Sequence, residues 1–421
     1  MAAEPTPSQP PQPTPGPIAP AERIATIDIL RGVAIFGILV ENMLFFGGPI
    51  SLWQLSEPWW PAPADQFVNA AVHWLEKGKF YALFSFLFGL GMTLQMQRVG
   101  ASGSRFVRLY VRRMLTLLAI GLAHALLLWW GDILSTFAVL GLLLLLFRRV
   151  SDKALLFWAV MLWLGPLMVI LTAAGVDELL KLTPLAAMTT QSDVAAQQAA
   201  LREAAHQSVE RYGAGSPGDI FAQRLADLHH AWAGRAFHSS TIFMMFLLGM
   251  YAGRRGYLQN PDGYPRLHGY LLRWALPVGL LAHLGYALTL GSDKLLPMVA
   301  NMVPFTIGLP LLTFGYIAAV VTLARRAPWR KLLAPVAAVG RMSLSNYLLQ
   351  TVVCTTLFYS YGFGLYGRIS PTVGLIPTVL LYAAQVALSN WWLRRFRFGP
   401  VEWLWRSVTY AKWQPLRHPA A

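Results

Sequence analysis

Long apolar runs separated by short polar connections dominate the chain between residues 23 and 397. Several of these runs approach or exceed the roughly 20 residues that an α-helix needs to cross a bilayer. The pattern therefore predicts an all-α fold, a polytopic transmembrane bundle of about ten helices. The predicted spans are 27–47, 78–97, 109–129, 133–148, 154–175, 237–254, 269–291, 299–324, 334–359 and 371–393.

The remaining segments divide the chain into domains. Residues 1–22 are proline-rich, lack the basic start of a signal peptide, and are predicted to be a disordered cytoplasmic tail. Residues 176–236 predict an extracytoplasmic insertion of two amphipathic helices, with a solvated linker as the alternative. Residues 398–421 begin with a proline and clustered tryptophans and predict a cytoplasmic interfacial helix and tail. The two membrane halves, 23–175 and 237–397, then hold five helices each.

Composition agrees with a membrane protein, because only 13% of the residues are charged and the mean hydropathy is +0.47. The net charge of +15 does not indicate a nucleic-acid partner. Basic residues instead cluster between alternate apolar runs, and by the positive-inside rule this pattern places both termini in the cytoplasm. The single cysteine, Cys354, lies in an apolar helix, so neither a disulfide framework nor a thiol metal site is expected.

Charged residues inside the first span are unusual, because a charge at mid-bilayer costs about 2.5–3.5 kcal/mol on insertion scales. Asp28, Arg31 and Asn42 share one helix face, since eleven residues are close to three whole turns. Glu41 points elsewhere. The stripe predicts either a polar cavity or a structural Asp28–Arg31 pair at the cytoplasmic surface, with Asn42 bonded to a neighbouring helix.

His124 is the candidate for proton transfer, about 16 Å along its helix from the basic end at Arg113. It could act as a general base or a relay, or it could bridge two helices. Asp132 lies about 12 Å from His124 along the axis if the helix is continuous, too far to orient the imidazole. The sequence therefore favours Asp132 as the cap of the next helix.

The predicted ninth span, read as one helix, carries a second polar set. Arg341 is expected about 10 Å deep, with Ser345 and Asn346 deeper. A buried arginine needs a carboxylate or an anionic ligand. A structural tie between Asp28 and Arg341 and an anion site at Arg341 are both open.

Several motifs together resemble the YeiB-like family of bacterial membrane proteins, catalogued as domain of unknown function 418. The resemblance rests on 23–32, 84–91, 121–124, 131–134, 340–350 and 394–406, and it covers nearly the whole chain apart from the proline-rich tail. More distantly, the opening helix is similar to that of transmembrane acyltransferases such as heparan-α-glucosaminide N-acetyltransferase. That similarity is direct only at Asp28 and Arg31. It implies transfer of an acyl group from a cytoplasmic thioester to an acceptor outside.

The resulting hypothesis is an acyltransferase of the bacterial inner membrane. His124, Asp28, Arg31 and Asn42 are its candidate catalytic residues, and Arg341, Ser345, Asn346, Asp132 and Glu41 are its candidate substrate-binding residues. Acyl-CoA is the expected co-substrate, and no bound cofactor or metal is expected. The expected partners are the lipid bilayer and an extracytoplasmic acceptor, and the oligomeric state, a homo-oligomer included, is open. The alternatives are a transporter or flippase, or a non-catalytic membrane protein on the same fold.

Overall fold

The structure is a computed structural model, and it describes residues 24–55, 57–99, 103–181, 192–288 and 295–418. The predicted tail, residues 1–22, lies outside these ranges. The described α-helices are α1 (Ala25–Gly47), α2 (Pro63–Leu75), α3 (Lys79–Val99), α4 (Ser104–Leu127), α5 (Leu134–Leu144), α6 (Asp152–Lys181), α7 (Ser192–Gly213), α8 (Pro217–Arg255), α9 (Pro265–Tyr270), α10 (Leu276–Leu288), α11 (Leu295–Arg325), α12 (Ala327–Arg341), α13 (Ser343–Phe358), α14 (Pro371–Arg395) and α15 (Pro400–Tyr410).

The all-α bundle is confirmed, and each predicted span overlaps at least one of these helices. Within the described ranges, five helical segments are long and apolar enough to cross a membrane, or six if α12 and α13 together form one crossing. The chain is therefore a multi-pass membrane protein. The predicted number of ten crossings and the predicted division into two halves stay predictions.

The predicted ninth span is wrong as a single continuous helix, because the chain bends by 80° between α12 and α13. Gly340 lies directly before this elbow, and a Cβ there would come within 1.9 Å of the Asp28 carbonyl oxygen of α1. The same face of α1 receives Val336, whose carbonyl oxygen lies 2.2 Å from the Cβ position of Gly32. The two glycines thus let the backbones of α1 and α12 touch.

A second close crossing in the core joins α3 to α8. A Cβ on Gly89 would lie 2.0 Å from the carbonyl oxygen of Phe246, and one on Gly249 would lie 1.9 Å from that of Phe86. Small residues bring the two backbones together where lipid provides no hydrophobic drive for association. Both helices contribute side chains to the site described below.

Where the structure describes the predicted insertion it is helical, but its second helix does not end within residues 176–236. Instead α8 runs from Pro217 to Arg255, from the insertion into the bundle. The insertion packs on the α13–α14 connection, where the Ser360 amide donates to the Tyr212 carbonyl oxygen at 2.7 Å. The Tyr212 hydroxyl donates to Asp227 at 2.7 Å, and burial raises the pKa of Asp227 to about 6.

Candidate active site

A cavity of about 490 Å³ lies at one end of the bundle, which we call the cavity end. Its wall includes side chains of α1, α3, α5, α8 and α13, together with the α4–α5 turn. The wall contains both aromatic and polar side chains. The aromatic ones are Phe45, Tyr81, Trp129, Trp130 and Tyr347, and the polar ones are Glu41, Asn42, Lys77, Asp132, His230 and His238. An apolar wall with a few convergent polar groups is typical of a small-molecule site.

Glu41 is held in this wall by the turn between α2 and α3. Its carboxylate lies 3.7 Å from the Lys77 ammonium and accepts a hydrogen bond from the Gly78 amide at 3.2 Å. Gly78 has a φ of +83°, which glycine adopts without strain and which makes the sharp turn possible. The ammonium also lies 4.9 Å from the centre of the Phe45 ring. One acidic and one basic side chain, Glu41 and Lys77, therefore border the cavity as an ion pair.

A second array of polar groups lies beside the cavity and contains His124. Its Nδ1 lies 3.0 Å from Asp132 Oδ1, and its Nε2 lies 2.9 Å from Thr351 Oγ1. Asp132 also accepts from the amides of Leu134 and Ser135, at 3.1 and 2.8 Å. With Asp132 ionised, its carboxylate only accepts, so the Nδ1–H of a neutral His124 donates to it and Nε2 accepts from the Thr351 hydroxyl, which also lies 3.4 Å from the Tyr347 carbonyl oxygen.

The predicted separation of His124 and Asp132 is wrong. It assumed one continuous helix, whereas α4 ends at Leu127 and the chain turns back into α5. The Cβ position of Gly121 lies 2.4 Å from the Ser135 amide, so the two helices pack closely. The expected capping role is confirmed, because Asp132 accepts from the first amides of α5. The same carboxylate caps the helix and orients the imidazole.

Further charged groups lie close to Glu41. Glu76 and Lys79 are buried on either side of Lys77, and the Lys79 ammonium donates to the His73 carbonyl oxygen at 3.0 Å. Burial, together with the charge of Glu41, raises the pKa of Glu76 well above its usual range.

Asp28 and Arg31 lie at the opposite end of α1. Their side chains form an ion pair of 3.5 Å. Thirteen residues of helix separate Asp28 from Glu41, which is about 20 Å. The stripe expected along α1 is thus split between the two ends of the bundle. We call the end that holds Asp28 and Arg31 the basic end.

Two further arginines belong to the basic end. Arg341 ends α12 at the elbow, next to the Gly340 contact with Asp28, and its buried Nε–H has no hydrogen-bond partner among the described residues. The Arg113 guanidinium lies 4.1 Å from the centre of the Trp405 ring of α15. The predicted side-chain tie between Asp28 and Arg341 stays a prediction.

Ser345 and Asn346 are occupied by structural contacts. The hydroxyl of Ser345 donates to Glu402, whose carboxylate also accepts from the Leu344 and Ser345 amides at 2.7 and 3.0 Å. Glu402 of α15 thereby caps α13, and its burial raises its pKa. Asn346 donates to the Val339 carbonyl oxygen and to Ser389. Neither residue is part of the cavity wall.

Of the predicted site residues, the structure thus brings together Glu41, Asn42, His124 and Asp132 at the cavity end. The predicted site residues did not include Lys77, His238, Tyr347 or Thr351, which line the cavity or contact His124. Thr351 follows His124 by 227 positions, and no spacing rule connects them. Lys77 lies at the start of a predicted span, where a lysine looks like an ordinary interfacial residue. Among the described residues, no group of three or more His, Cys, Asp or Glu side chains is arranged to hold a metal ion.

Comparison with known proteins identifies relatives along the whole chain. Residues 252–412 match the model of the family described as protein of unknown function DUF418. The uncharacterized protein YxaH of Bacillus subtilis is 38% identical over 412 residues, which are 94% of this chain and 96% of the relative. The uncharacterized protein YeiB of Escherichia coli is 32% identical over 403 residues, 92% of this chain and 96% of the relative. No solved structure matches the chain significantly.

Proposed function

The chain belongs to the YeiB-like DUF418 family of membrane proteins, and we propose that it is an integral membrane acyltransferase. It would move an acyl group from a cytoplasmic acyl-CoA to a hydroxyl or amine acceptor at the outer face. This function goes beyond the family assignment, because the relatives named above are described without an activity. The acyl donor would bind at the basic end and the acceptor in the cavity.

One observation carries the proposal, the imidazole of His124 held between Asp132 and Thr351 beside a cavity. An imidazole with Nδ1–H fixed on a carboxylate and Nε2 directed at a hydroxyl is the arrangement that removes a proton from an attacking group. His124 is itself buried, with 2% of its surface exposed. Asn42 in the cavity wall would hold the acyl oxygen.

The basic end suits the donor. A CoA thioester carries phosphates, and guanidinium groups bind phosphates through charge-assisted hydrogen bonds. Arg31 pairs with Asp28, Arg113 feels the charge of Arg31, and Arg341 follows Gly340, whose Cβ position touches the Asp28 backbone. The unpartnered Nε–H of Arg341 is a donor ready for an anion. By the positive-inside rule, the basic clusters between alternate spans support the proposal that this end faces the cytoplasm of a bacterial inner membrane, where acyl-CoA is made.

The test is an acyl-transfer assay on the purified protein in lipid nanodiscs. Radiolabelled acetyl-CoA is supplied with a mixture of small amines, polyols and bacterial lipid extract, and labelled product is separated from CoA. His124→Asn should reduce transfer at least a hundredfold, since general-base contributions are about 10²–10⁴-fold. His229→Asn changes an exposed histidine of α8 outside the cavity wall and should leave transfer unchanged. Equal turnover in both variants would remove His124 from the mechanism.

A transporter or flippase is the second candidate, favoured by the buried charges near the cavity. Glu76 and Lys79 are buried close to the Glu41–Lys77 pair, as ionisable groups along permeation paths are. Proteoliposomes loaded with labelled amines or fluorescent lipids distinguish the two functions. Movement of label without any acyl donor supports transport, and movement only as acylated product supports the enzyme.

A further inference from the structure

The distance between the two ends of the bundle raises a problem that the proposed function must solve. Direct transfer requires the reacting atoms to approach to about 3–3.5 Å. Asp28 and Glu41, which mark the two ends on α1, lie about 20 Å apart along the helix. A donor held by its phosphates at the basic end presents its thioester at the far end of the pantetheine arm, so its acyl carbon and an acceptor from the cavity meet at a point between the two ends.

Thr351 occupies such a point. It lies eight residues into α13, about 12 Å from the elbow at the basic end, and seven residues before the helix ends at Phe358 near the cavity end. Its hydroxyl is 2.9 Å from His124 Nε2, and the other ring nitrogen is 3.0 Å from Asp132. Hydroxyl, imidazole and carboxylate in this order form the geometry of a nucleophile activated by a base and its orienting acid.

Resting on the proposed function, we propose that Thr351 is the acyl carrier of a two-step transfer. In the first step, Thr351 Oγ1 attacks the thioester carbonyl, the carbon–sulfur bond breaks, and His124 takes the hydroxyl proton and passes it to the leaving CoA thiolate. The product is an acyl ester on Thr351. In the second step, the acceptor's oxygen or nitrogen attacks the ester carbonyl carbon, His124 takes the acceptor's proton, the bond between the acyl carbon and Thr351 Oγ1 breaks, and the threonine oxygen takes the proton back as the acylated acceptor leaves.

Burial of the array suits an ester intermediate. Thr351 has no exposed surface and His124 only 2%, so bulk water is kept from an acyl ester formed there. Tyr347 lies one turn earlier on α13 and connects the array to the cavity. Its side chain lines the cavity, its ring centre lies 5.2 Å from that of His124, and its hydroxyl donates to the Gly131 carbonyl oxygen at 3.3 Å. Tyr347 therefore lies between the cavity and the His124–Thr351 pair.

The test traps the ester by leaving out the acceptor. Purified protein in nanodiscs is incubated with acetyl-CoA, quenched in acid, and analysed by intact-mass and peptide mass spectrometry. The expected result is one acetyl group in place of one hydrogen, located on the peptide that contains Thr351. Thr351→Ser should keep the adduct, and Thr351→Val should lose both the adduct and at least 99% of the transfer activity. Thr355→Val is the matched control, because Thr355 is buried one turn further along α13 and its hydroxyl donates to the Val352 carbonyl oxygen.

The outcomes separate this inference from the function on which it rests. Transfer by the wild type without an acetylated Thr351, with full activity in Thr351→Val, contradicts the acyl carrier and leaves the acyltransferase standing. Absence of any transfer or adduct in the wild type contradicts both. Size-exclusion profiles and melting temperatures show whether the valine variants misfold. If Thr351→Val is misfolded, the acetyl adduct on Thr351 in the wild type, and on the serine in Thr351→Ser, decides whether this residue carries the acyl group.

Discussion

The two ends of the bundle use the same kinds of polar side chain in different ways. At the basic end, carboxylates are tied to structure: Asp28 pairs with Arg31, and Glu402 caps α13. At the cavity end, Glu41 and Asp132 line a cavity of about 490 Å³ and touch Lys77 and His124. Polar residues on one transmembrane helix therefore need not belong to one site, since about 20 Å of α1 separates Asp28 from Glu41.

The largest expected effect follows from packing at the basic end. Gly340→Ala places a Cβ 1.9 Å from the Asp28 carbonyl oxygen, so α1 and α12 must separate. We expect a loss of about 3 kcal/mol or more, the upper range for overpacking, and little folded protein. Gly175→Ala is the control, because nothing lies within 4 Å of its Cβ position. The readouts are monodisperse yield and melting temperature, and equal values for both variants would contradict the α1–α12 contact.

Removal of the cap on α13 should have the next largest effect. Glu402→Ala leaves the Leu344 and Ser345 amides and the Ser345 hydroxyl without their acceptor. Lost hydrogen bonds to buried donors cost about 2 kcal/mol, which should lower the melting temperature clearly. Glu210→Ala, on the exposed side of α7, should leave it unchanged. If Glu402→Ala has the melting temperature of the wild type, Glu402 of α15 does not stabilise the bend between α12 and α13.

A pair of kinetic variants tests the assignment of the two ends. Arg31→Gln should raise KM for acyl-CoA about tenfold, or about 1.4 kcal/mol, and leave KM for the acceptor unchanged. Glu41→Gln should do the reverse, because Glu41 lines the cavity. Steady-state kinetics with each substrate varied in turn gives both constants. If either variant changes both constants equally, donor and acceptor do not bind at separate ends.

The insertion predicts a smaller, pH-dependent effect. The pKa of Asp227 is about 6, above its usual value of 3.8, so the folded state holds this proton more tightly than the unfolded state does. Its contribution to stability is complete below about pH 4 and is lost as the pH rises through 6, about 1 kcal/mol between pH 5 and pH 7. Asp227→Asn should remove that part of the pH dependence of the melting temperature. The same slope in both proteins would show that Asp227 does not contribute it.

The fold could be predicted almost entirely from hydrophobic runs, since each predicted span overlaps a described helix. The elbow at Met342 could not, because Arg341 to Gln350 reads as continuous helix, whereas the 80° bend lies beside a contact between Gly340 and α1 that no local pattern reveals. The site was predictable only in part. His124 and Asp132 were found as unusual polar residues, but their contact depends on the end of α4 at Leu127, and Thr351 looks like any helical threonine.

The most direct test of the account is transfer across a sealed bilayer. Proteoliposomes are sorted for one orientation, and labelled acetyl-CoA is placed on the side of the basic end with the acceptor mixture on the side of the cavity end. Acylated product should form on the cavity side only, in the wild type and in His229→Asn but not in His124→Asn. Product on the donor side, or transfer that is indifferent to His124, would contradict it.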